Sequence, residues 1–233
     1  MSSVDVDDII REASWFKGLP ENELAKISQI ARVENFSKKD FVYMPGEIRK
    51  KLYCVIEGTV QLSLIDGGGS QFILSSMRHG TWFGEASVVG PMPLLEARAT
   101  TDCKLLMLPY SEVNSCVNQG IFHRNLFSDH IKKVQLIYQL LAGMLFLPLR
   151  ARLAARLLFL VESFGYQTDE GVVLDMKLSQ QDFAKMGMGS RQRVNKIFRE
   201  WQAKGIYKKV TGKYLVKDIE ALKLETQFRE DNE

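Results

Sequence analysis

Residues 178–205, LSQQDFAKMGMGSRQRVNKIFREWQAKG, contain the pattern that decides the fold of the C-terminal part of the chain. Ser179 stands before the first helical run, and Asp182 follows three positions later, which is a typical signal for the start of a helix. Gly187 and Gly189 bracket a turn, where a left-handed or closely packed backbone is expected. The stretch therefore predicts two short helices joined by a turn.

The second helix of this stretch begins after Ser190 and is amphipathic. Its apolar residues fall at i, i+3, i+4 and i+7, which predicts one buried face: Val194, Ile197, Phe198 and Trp201. The opposite face is basic and amide-rich. Arg and Gln suit base edges, whereas Lys and Ser suit phosphates. An amphipathic surface helix with a solvated basic face is the alternative, but the capped first helix and the glycine turn favour a DNA-reading helix-turn-helix. The predicted DNA contacts in this stretch are Ser179, Gln180, Ser190, Arg191, Gln192, Arg193, Asn195, Lys196 and Arg199.

The charge distribution supports a polyanionic partner. The whole chain carries a net charge of only +3, yet residues 177–217 hold eleven Lys and Arg against two acids, a net +9. Two short strand patterns around Thr211-Gly212-Lys213 predict a hairpin wing beside the helices. Lys208, Lys209 and Lys213 of this wing are predicted to lie near DNA phosphates.

Length and composition set outer limits on the class of protein. The 233 residues suffice for two domains, and 45% hydrophobic with 25% charged residues is ordinary for a soluble globular protein. No apolar run reaches membrane-spanning length, and the N-terminus, MSSVDVDDIIREA, does not resemble a signal peptide. The three isolated cysteines favour a reducing, cytoplasmic setting.

The first half of the chain is rich in short strand patterns. Runs such as FVYMPGE, KLYCVIEGTVQLSLI, SQFILSSM and CKLLMLP are separated by glycines, which predicts a barrel or jelly roll. A long helix is predicted over 121–146. Its apolar residues recur in alternating steps of four and three, which is typical of a seam that pairs with an identical helix. The seam residues are Phe127, Ile131, Val134, Tyr138, Leu141 and Leu145. A helix buried within one chain is the alternative.

The order of these parts resembles the CRP/FNR family of bacterial transcription regulators. The phrases that carry the resemblance are VIEGTV (55–60), GTWFGEAS (80–87), the long helix and LSQQDFAKMGMGSRQRVNKI. The resemblance implies an α+β protein with a jelly-roll effector domain (double-stranded β-helix, 1–120), a dimerisation helix (121–147) and a winged helix-turn-helix domain (148–233). It also implies that Arg191, Gln192 and Lys196 read bases. The implied partners are double-stranded DNA, a second copy of the chain, RNA polymerase and an unknown small-molecule effector. No interaction with a membrane is implied.

The effector pocket implied by the resemblance comprises Gly84, Glu85, Ala86, Ser87, Arg98, Ala99, Ile137 and Tyr138. Nucleotide-binding members use Gly-Glu and an Arg-Ser or Arg-Thr pair to hold the ribose and the cyclic phosphate. Gly84-Glu85 are present, but Pro93 and Leu94 stand at the Arg-Ser positions. Loss of charge-assisted hydrogen bonds of about 1.5–3 kcal/mol each speaks against cyclic AMP. A structural ion pair between Glu85 and Arg98 is the alternative role of these two residues.

Other cofactors and functions are disfavoured by the residue types. Cys54, Cys103 and Cys116 do not supply the four thiolates of an iron–sulfur cluster, and no histidine stands out as a haem ligand. The cofactor is left unknown, no metal site or catalytic residue is predicted, and we expect a protein that is not an enzyme. A ligand-independent regulator and a cyclic-nucleotide regulator with a variant pocket stay open. A β-barrel enzyme is remote, because residues 35–109 contain one histidine. An interaction module whose basic helix binds an acidic partner is a third class.

Overall fold

The computed structural model of the protein describes residues 6–68, 71–92, 94–174 and 178–228. The chain divides into two compact units within one long helix, α4 (Gln119–Phe146); the first unit ends at Ile137 and the second begins at Tyr138. The elements confirm the predicted α+β class, with a β-roll, a long helix and a winged helix-turn-helix in that order. The division lies inside α4, whereas the sequence-based boundaries lie at its two ends.

The first unit consists of short helices around a β-roll. Its helices are α1 (Val6–Glu12), α2 (Glu21–Ile30), α3 (Tyr110–Cys116) and the first part of α4. Its strands are β1 (Arg32–Phe36), β2 (Phe41–Tyr43), β3 (Lys51–Glu57), β4 (Val60–Ile65), β5 (Gln71–Met77), β6 (Trp82–Phe83), β7 (Leu95–Ala99) and β8 (Cys103–Pro109). They form two antiparallel sheets with the strand orders β1-β8-β3-β6 and β2-β7-β4-β5.

Strand β3 separates two hydrophobic cores because its side chains alternate. Tyr53 and Val55 are buried in a core that draws residues from both sheets. Leu52, Cys54 and Ile56 are buried in a second core, which contains residues of α1, α2, α3 and α4. Successive side chains of a strand point to opposite faces, so one strand can serve both cores. This arrangement places the start of α4 against the helical side of the roll.

The second unit combines helices with a four-stranded antiparallel sheet. Besides the end of α4, its elements are α5 (Leu149–Phe164), β9 (Gly165–Thr168), β10 (Gly171–Leu174), α6 (Gln180–Gly187), α7 (Arg191–Ala203), β11 (Tyr207–Val210), β12 (Lys213–Val216) and α8 (Ile219–Glu225). The strand order is β11-β12-β10-β9. Strand β9 lies at the edge of this sheet and has a polar sequence. This edge strand exposes Tyr166 and Gln167, and its polar composition therefore conceals its pairing with β10.

Two turns fix the shape of this unit. Between α6 and α7 it is Met188, at φ 51°, that adopts the left-handed conformation, not either flanking glycine. Gly189 is needed for space instead, because a Cβ atom there would lie 2.6 Å from the side chain of Leu149 in α5. In the wing, Thr211 and Gly212 both have positive φ, which is the two-residue turn that suits a hairpin.

Candidate nucleic-acid interface and effector site

Side-chain caps hold both helices of the helix-turn-helix. The Ser179 hydroxyl accepts a hydrogen bond from the Asp182 backbone N–H (3.1 Å), and the Asp182 carboxylate accepts one from the Ser179 N–H (2.7 Å). The Ser190 hydroxyl accepts from the Arg193 N–H at 3.3 Å. Each cap satisfies backbone donors that the first helical turn would otherwise leave open. Both serines predicted to contact DNA therefore have a structural role at a helix start.

The periodicity of α7 predicts its buried face correctly for three of the four residues, whereas Ile197 is only half-buried. Val194, Phe198 and Trp201 are fully buried, and Phe198 packs against Phe183 of α6 at a ring-centroid distance of 4.8 Å. Tyr214 of β12 joins the same aromatic cluster. Aromatic packing at these distances is worth about 0.5–1.5 kcal/mol per pair beyond area burial. The cluster therefore fixes the rotation of α7 about its own axis.

The opposite face of α7 is basic and accessible. Gln192, Lys196 and Arg199 are exposed, and their steps of four and three keep them on one stripe of the helix. Arg191 and Arg193 are exposed at the N-terminal turn. Asn195 differs, because its side chain is half-buried and its Oδ1 atom is enclosed and accepts no hydrogen bond from the part of the chain that the structure describes. Gln180 of α6 is likewise half-buried.

The three wing lysines have local partners. Lys208 forms an ion pair with Glu170 at 2.5 Å, and its ammonium lowers the pKa of that exposed carboxyl. The Lys209 ammonium lies 4.9 Å from the Tyr214 ring centroid, and Lys213 lies 6.0 Å from that of Tyr166. Exposed contacts of this kind are weak and can exchange for phosphate. The basic side chains are therefore available on the surface of the wing.

An ion-pair network in the same unit centres on the largely buried side chains of Arg150 and Glu225 and is not predicted from the sequence. Arg150 of α5 contacts the carboxylates of Glu225 in α8 and Glu200 in α7, and Lys204 lies 3.0 Å from Glu225. Burial by itself would raise the pKa of Glu225, but hydrogen bonds from donors led by Arg150 and Lys204 outweigh it and lower that pKa to about 2. No sequence signal connects residues 75 positions apart.

Acid titration is expected to reveal the Glu225 contribution to stability. Because the pKa of Glu225 is lower in the folded protein than in the unfolded chain, the contribution is complete above about pH 4.5 and is lost as the pH falls toward 2. Denaturant unfolding of the unmodified protein should therefore show a steeper loss in this window than unfolding of Glu225→Gln, by up to about 1.4 kcal/mol per pH unit. Parallel curves for the two proteins would contradict this assignment.

In the first unit, the carboxylate of Glu85 contacts basic side chains of α4. The Lys133 ammonium lies 2.9 Å from the Glu85 carboxylate, and His130 Nδ1 lies 3.6 Å from the same oxygen. Lys133 also contacts Asp129 at 3.0 Å and lies 5.1 Å from the Trp15 ring centroid. The Glu85 side chain is only 9% exposed. The carboxylate that the family resemblance assigns to a ribose is therefore held by a cation of the chain itself.

The predicted partner of Glu85 lies elsewhere. Arg98 Nε donates to the Lys39 carbonyl oxygen at 2.9 Å, and its guanidinium lies over the Phe41 ring at 4.7 Å. The alternative of a Glu85–Arg98 ion pair is thus wrong, because Arg98 packs along strand β2 while Glu85 faces α4. Leu94 is exposed. Pro93 and the side chain of Ser87 lie outside the described residues.

The remaining predicted pocket residues differ in exposure. Gly84 is in a left-handed conformation at φ 101°, where a Cβ atom would meet the Lys51 carbonyl oxygen at 2.5 Å. Ala86 is half-buried and Ala99 is buried, whereas Ile137 and Tyr138 are exposed. Of the predicted pocket, the structure therefore connects Glu85 with α4 and leaves Ile137 and Tyr138 on an accessible surface.

Helix α4 carries two different faces. Phe122 is buried on one face, where Asp129 accepts a hydrogen bond from the Trp15 indole N–H at 2.9 Å. The predicted seam follows a second face and is largely exposed: Phe127 66%, Ile131 37%, Tyr138 65%, Leu141 46% and Leu145 67%, with Val134 half-buried. Exposed apolar residues that recur at this spacing along one helix are typical of an interaction site.

The candidate cofactor ligands have local partners. His79 Nδ1 lies 2.8 Å from the Ile56 carbonyl oxygen, and His123 stacks on Tyr110. Cys54 and Cys103 are buried, and burial raises the pKa of the Cys54 thiol to about 12. Within 6–68, 71–92, 94–174 and 178–228, no three His, Cys, Asp or Glu side chains converge as metal ligands. None of the helices in these ranges is both long and apolar enough to cross a bilayer.

Comparison with known proteins matches both units. The family model "Cyclic nucleotide-binding domain" matches residues 33–119, and the model "Crp-like helix-turn-helix domain" matches residues 151–225. The CRP-like cAMP-activated global transcriptional regulator of Mycobacterium tuberculosis is 24% identical over 219 residues, which is 93% of this chain and 98% of the relative. Transcriptional regulator SdrP of Thermus thermophilus is 27% identical, covering 84% of this chain and 95% of SdrP.

The fold also matches solved structures. A CooA mutant from Carboxydothermus hydrogenoformans superimposes with a TM-score of 0.73 at 22% identity, covering 85% of this chain and 88% of CooA. At this identity the likeness concerns the fold, and it agrees with the order of β-roll, long helix and helix-turn-helix described above.

Proposed function

The chain belongs to the CRP/FNR family of transcription regulators, and from this premise we propose that it binds a palindromic DNA site as a homodimer in the bacterial cytoplasm. The family comprises regulators rather than enzymes. The observation that carries the proposal is the exposed basic stripe of α7, held by caps and by a buried aromatic cluster. In this proposal Arg191, Gln192 and Lys196 contact base edges, and the wing lysines contact phosphates.

The exposed seam of α4 supports the homodimer. A helix of 28 residues is about 42 Å long, which gives a seam of six residues enough length for a paired interface. Two copies related by a two-fold axis would present two recognition helices to two half-sites. Symmetry of the protein and palindromy of the site then follow from one another.

Control by an unidentified effector is the next part of the proposal. A ligand that binds better to one arrangement of the α4 pair would shift the population toward the DNA-competent state, and RNA polymerase would respond to the bound dimer. The Glu85–Lys133 ion pair favours an effector other than cyclic AMP, because a ribose would have to displace Lys133 from the carboxylate. A regulator that needs no ligand is the second form of the same function.

Cyclic AMP at micromolar concentration is expected to raise the melting temperature of the purified protein by less than about 1 °C, since a ligand stabilises only in proportion to its occupancy. The reasons are the exposed Leu94 at a position where the family uses a polar partner, and the engaged Glu85. The mycobacterial relative named as cAMP-activated is the positive control. A shift of several degrees would show that the pocket is a variant cyclic-nucleotide site.

Selection of DNA from a random pool tests the function as a whole. The full-length protein is incubated with the pool, and bound DNA is sequenced over several rounds, with and without a bacterial metabolite extract. We expect an inverted repeat whose half-sites lie about one helical turn apart. Enrichment that depends on the extract would indicate an effector, and the absence of any enriched sequence would contradict the proposed function.

A further inference from the structure

One side chain of α5 joins three segments of the C-terminal unit. The Arg150 guanidinium contacts the carboxylate of Glu225 through two nitrogens and that of Glu200 through the third. It also lies over the Phe228 ring, 5.1 Å from the centroid. The Arg150 side chain is 12% exposed and that of Glu225 is 9% exposed. A planar guanidinium can bridge two carboxylates in this way, whereas an ammonium lacks the fork of donors.

Glu200 is a liability on a helix that contacts DNA. It is the only acidic residue of α7 and follows Lys196 by one turn. A free carboxylate at this position would attract the Lys196 ammonium and repel phosphate. In the structure Glu200 pairs with Arg150, so Lys196 is not drawn toward it.

Packing alone does not hold this flank of α7. A cavity of about 250 Å³ lies beside it, bordered by Leu149, Arg150, Lys196, Glu200 and Phe228 among others. The opposite flank is fixed by buried aromatic rings, but here the helix borders open space. The ion pair between Glu200 and Arg150 lies at the border of this cavity, and Glu225 also binds the Arg150 guanidinium.

We propose that Arg150 is a positioning residue for DNA recognition, which ties the end of α7 to α8 and keeps Glu200 away from Lys196. The inference rests on the proposed function, since it assigns to α8 and Arg150 a role in presenting the base-reading side chains. In this proposal, helix α8 contributes to DNA recognition by holding the recognition helix α7 in position.

The charge-conserving substitution Arg150→Lys tests the proposal most directly. Dissociation constants are measured for the selected palindrome and for a scrambled duplex at one salt concentration. The specificity ratio, which is the Kd for the scrambled duplex divided by the Kd for the palindrome, should fall about fivefold or more. This corresponds to the loss of roughly one base contact. Binding to the scrambled duplex should stay unchanged, because the net charge is the same. Hydrogen exchange in DNA-free protein should be faster at the C-terminal half of α7.

A matched pair of substitutions in α8 separates position from charge. Glu225→Gln and Glu220→Gln each remove one negative charge from the same helix, but Glu220 pairs with Lys223 on the surface. Both should raise binding to scrambled DNA equally. Only Glu225→Gln should lower the specificity ratio, the Kd for the scrambled duplex divided by the Kd for the palindrome.

The outcomes distinguish a failure of the proposed function from a failure of the positioning role of Arg150. An unmodified protein with no sequence preference would contradict the proposed function. A wild-type preference that survives in both Arg150→Lys and Glu225→Gln would contradict the positioning role alone. Faster exchange in α7 without any change in the ratio would also overturn it, because the network would then contribute only to stability.

Discussion

Replacing Tyr138 with glutamate is expected to produce a monomer and to lower affinity for the palindromic site about a hundredfold or more, because linked half-site contacts are lost. Tyr138 is 65% exposed in the middle of the apolar seam of α4. In a two-fold pair the new carboxylate would approach its own symmetry mate and lose its hydration, a cost of several kcal/mol for each ion. Light scattering reports the mass, and titration with labelled duplex reports the affinity.

The matched control for this substitution is Gln139→Glu. Gln139 is exposed but lies about 100° farther around the helix, beside the seam and not in it. The Gln139→Glu substitution introduces the same charge one residue away from Tyr138 and should leave the dimer intact. A dimeric Tyr138→Glu protein would rule out this seam as the interface, and a monomeric Gln139→Glu protein would show that charge on α4 is disruptive anywhere.

Arg191→Ala should lower binding to the selected palindrome about tenfold to a hundredfold per half-site, since a bidentate base contact is worth roughly 1–3 kcal/mol. Arg191 begins the recognition helix and is exposed next to the Ser190 cap. Binding to scrambled DNA should fall much less, because only one of many cations is removed. Competition titrations with the two duplexes measure both effects.

Lys209→Ala provides the contrast between base readout and phosphate contact. A wing lysine near phosphate should contribute similarly to every sequence, so its loss should weaken both duplexes by a similar factor and reduce the salt slope by about 1. Equal losses on palindrome and scrambled DNA for Arg191→Ala would instead place Arg191 with the phosphate contacts.

The sequence predicted the helix-turn-helix well because its determinants are local. The caps at Ser179 and Ser190 lie within three residues of the groups they bond, and the spacing of Val194, Phe198 and Trp201 follows from one helix. The DNA contacts themselves stay predictions. Even here, sterics changed one detail: the left-handed residue of the turn is a methionine, and the glycine after it is required for packing on Leu149.

The long-range contacts could not be predicted from the sequence. Glu85 and Lys133 are 48 residues apart, whereas Arg98, the alternative partner of Glu85, lies nearer in the sequence and in the same roll. Strand β9 is not predicted from the sequence, because an edge strand with exposed side chains lacks the apolar alternation that identifies half-buried strands. Each failure concerns a partner or a pairing that folding brings together and that no local spacing encodes.

The tight turn between α6 and α7 also has an evolutionary consequence. Cβ atoms at positions 187 and 189 would lie 3.0 Å and 2.6 Å from the side chains of Leu153 and Leu149. An added Cβ atom at position 189 therefore requires a smaller or displaced side chain at Leu149, and one at position 187 requires a small shift of Leu153. Divergent relatives should preserve the summed side-chain volume at this contact while the individual residue types change. We therefore expect compensating substitutions between the turn and α5.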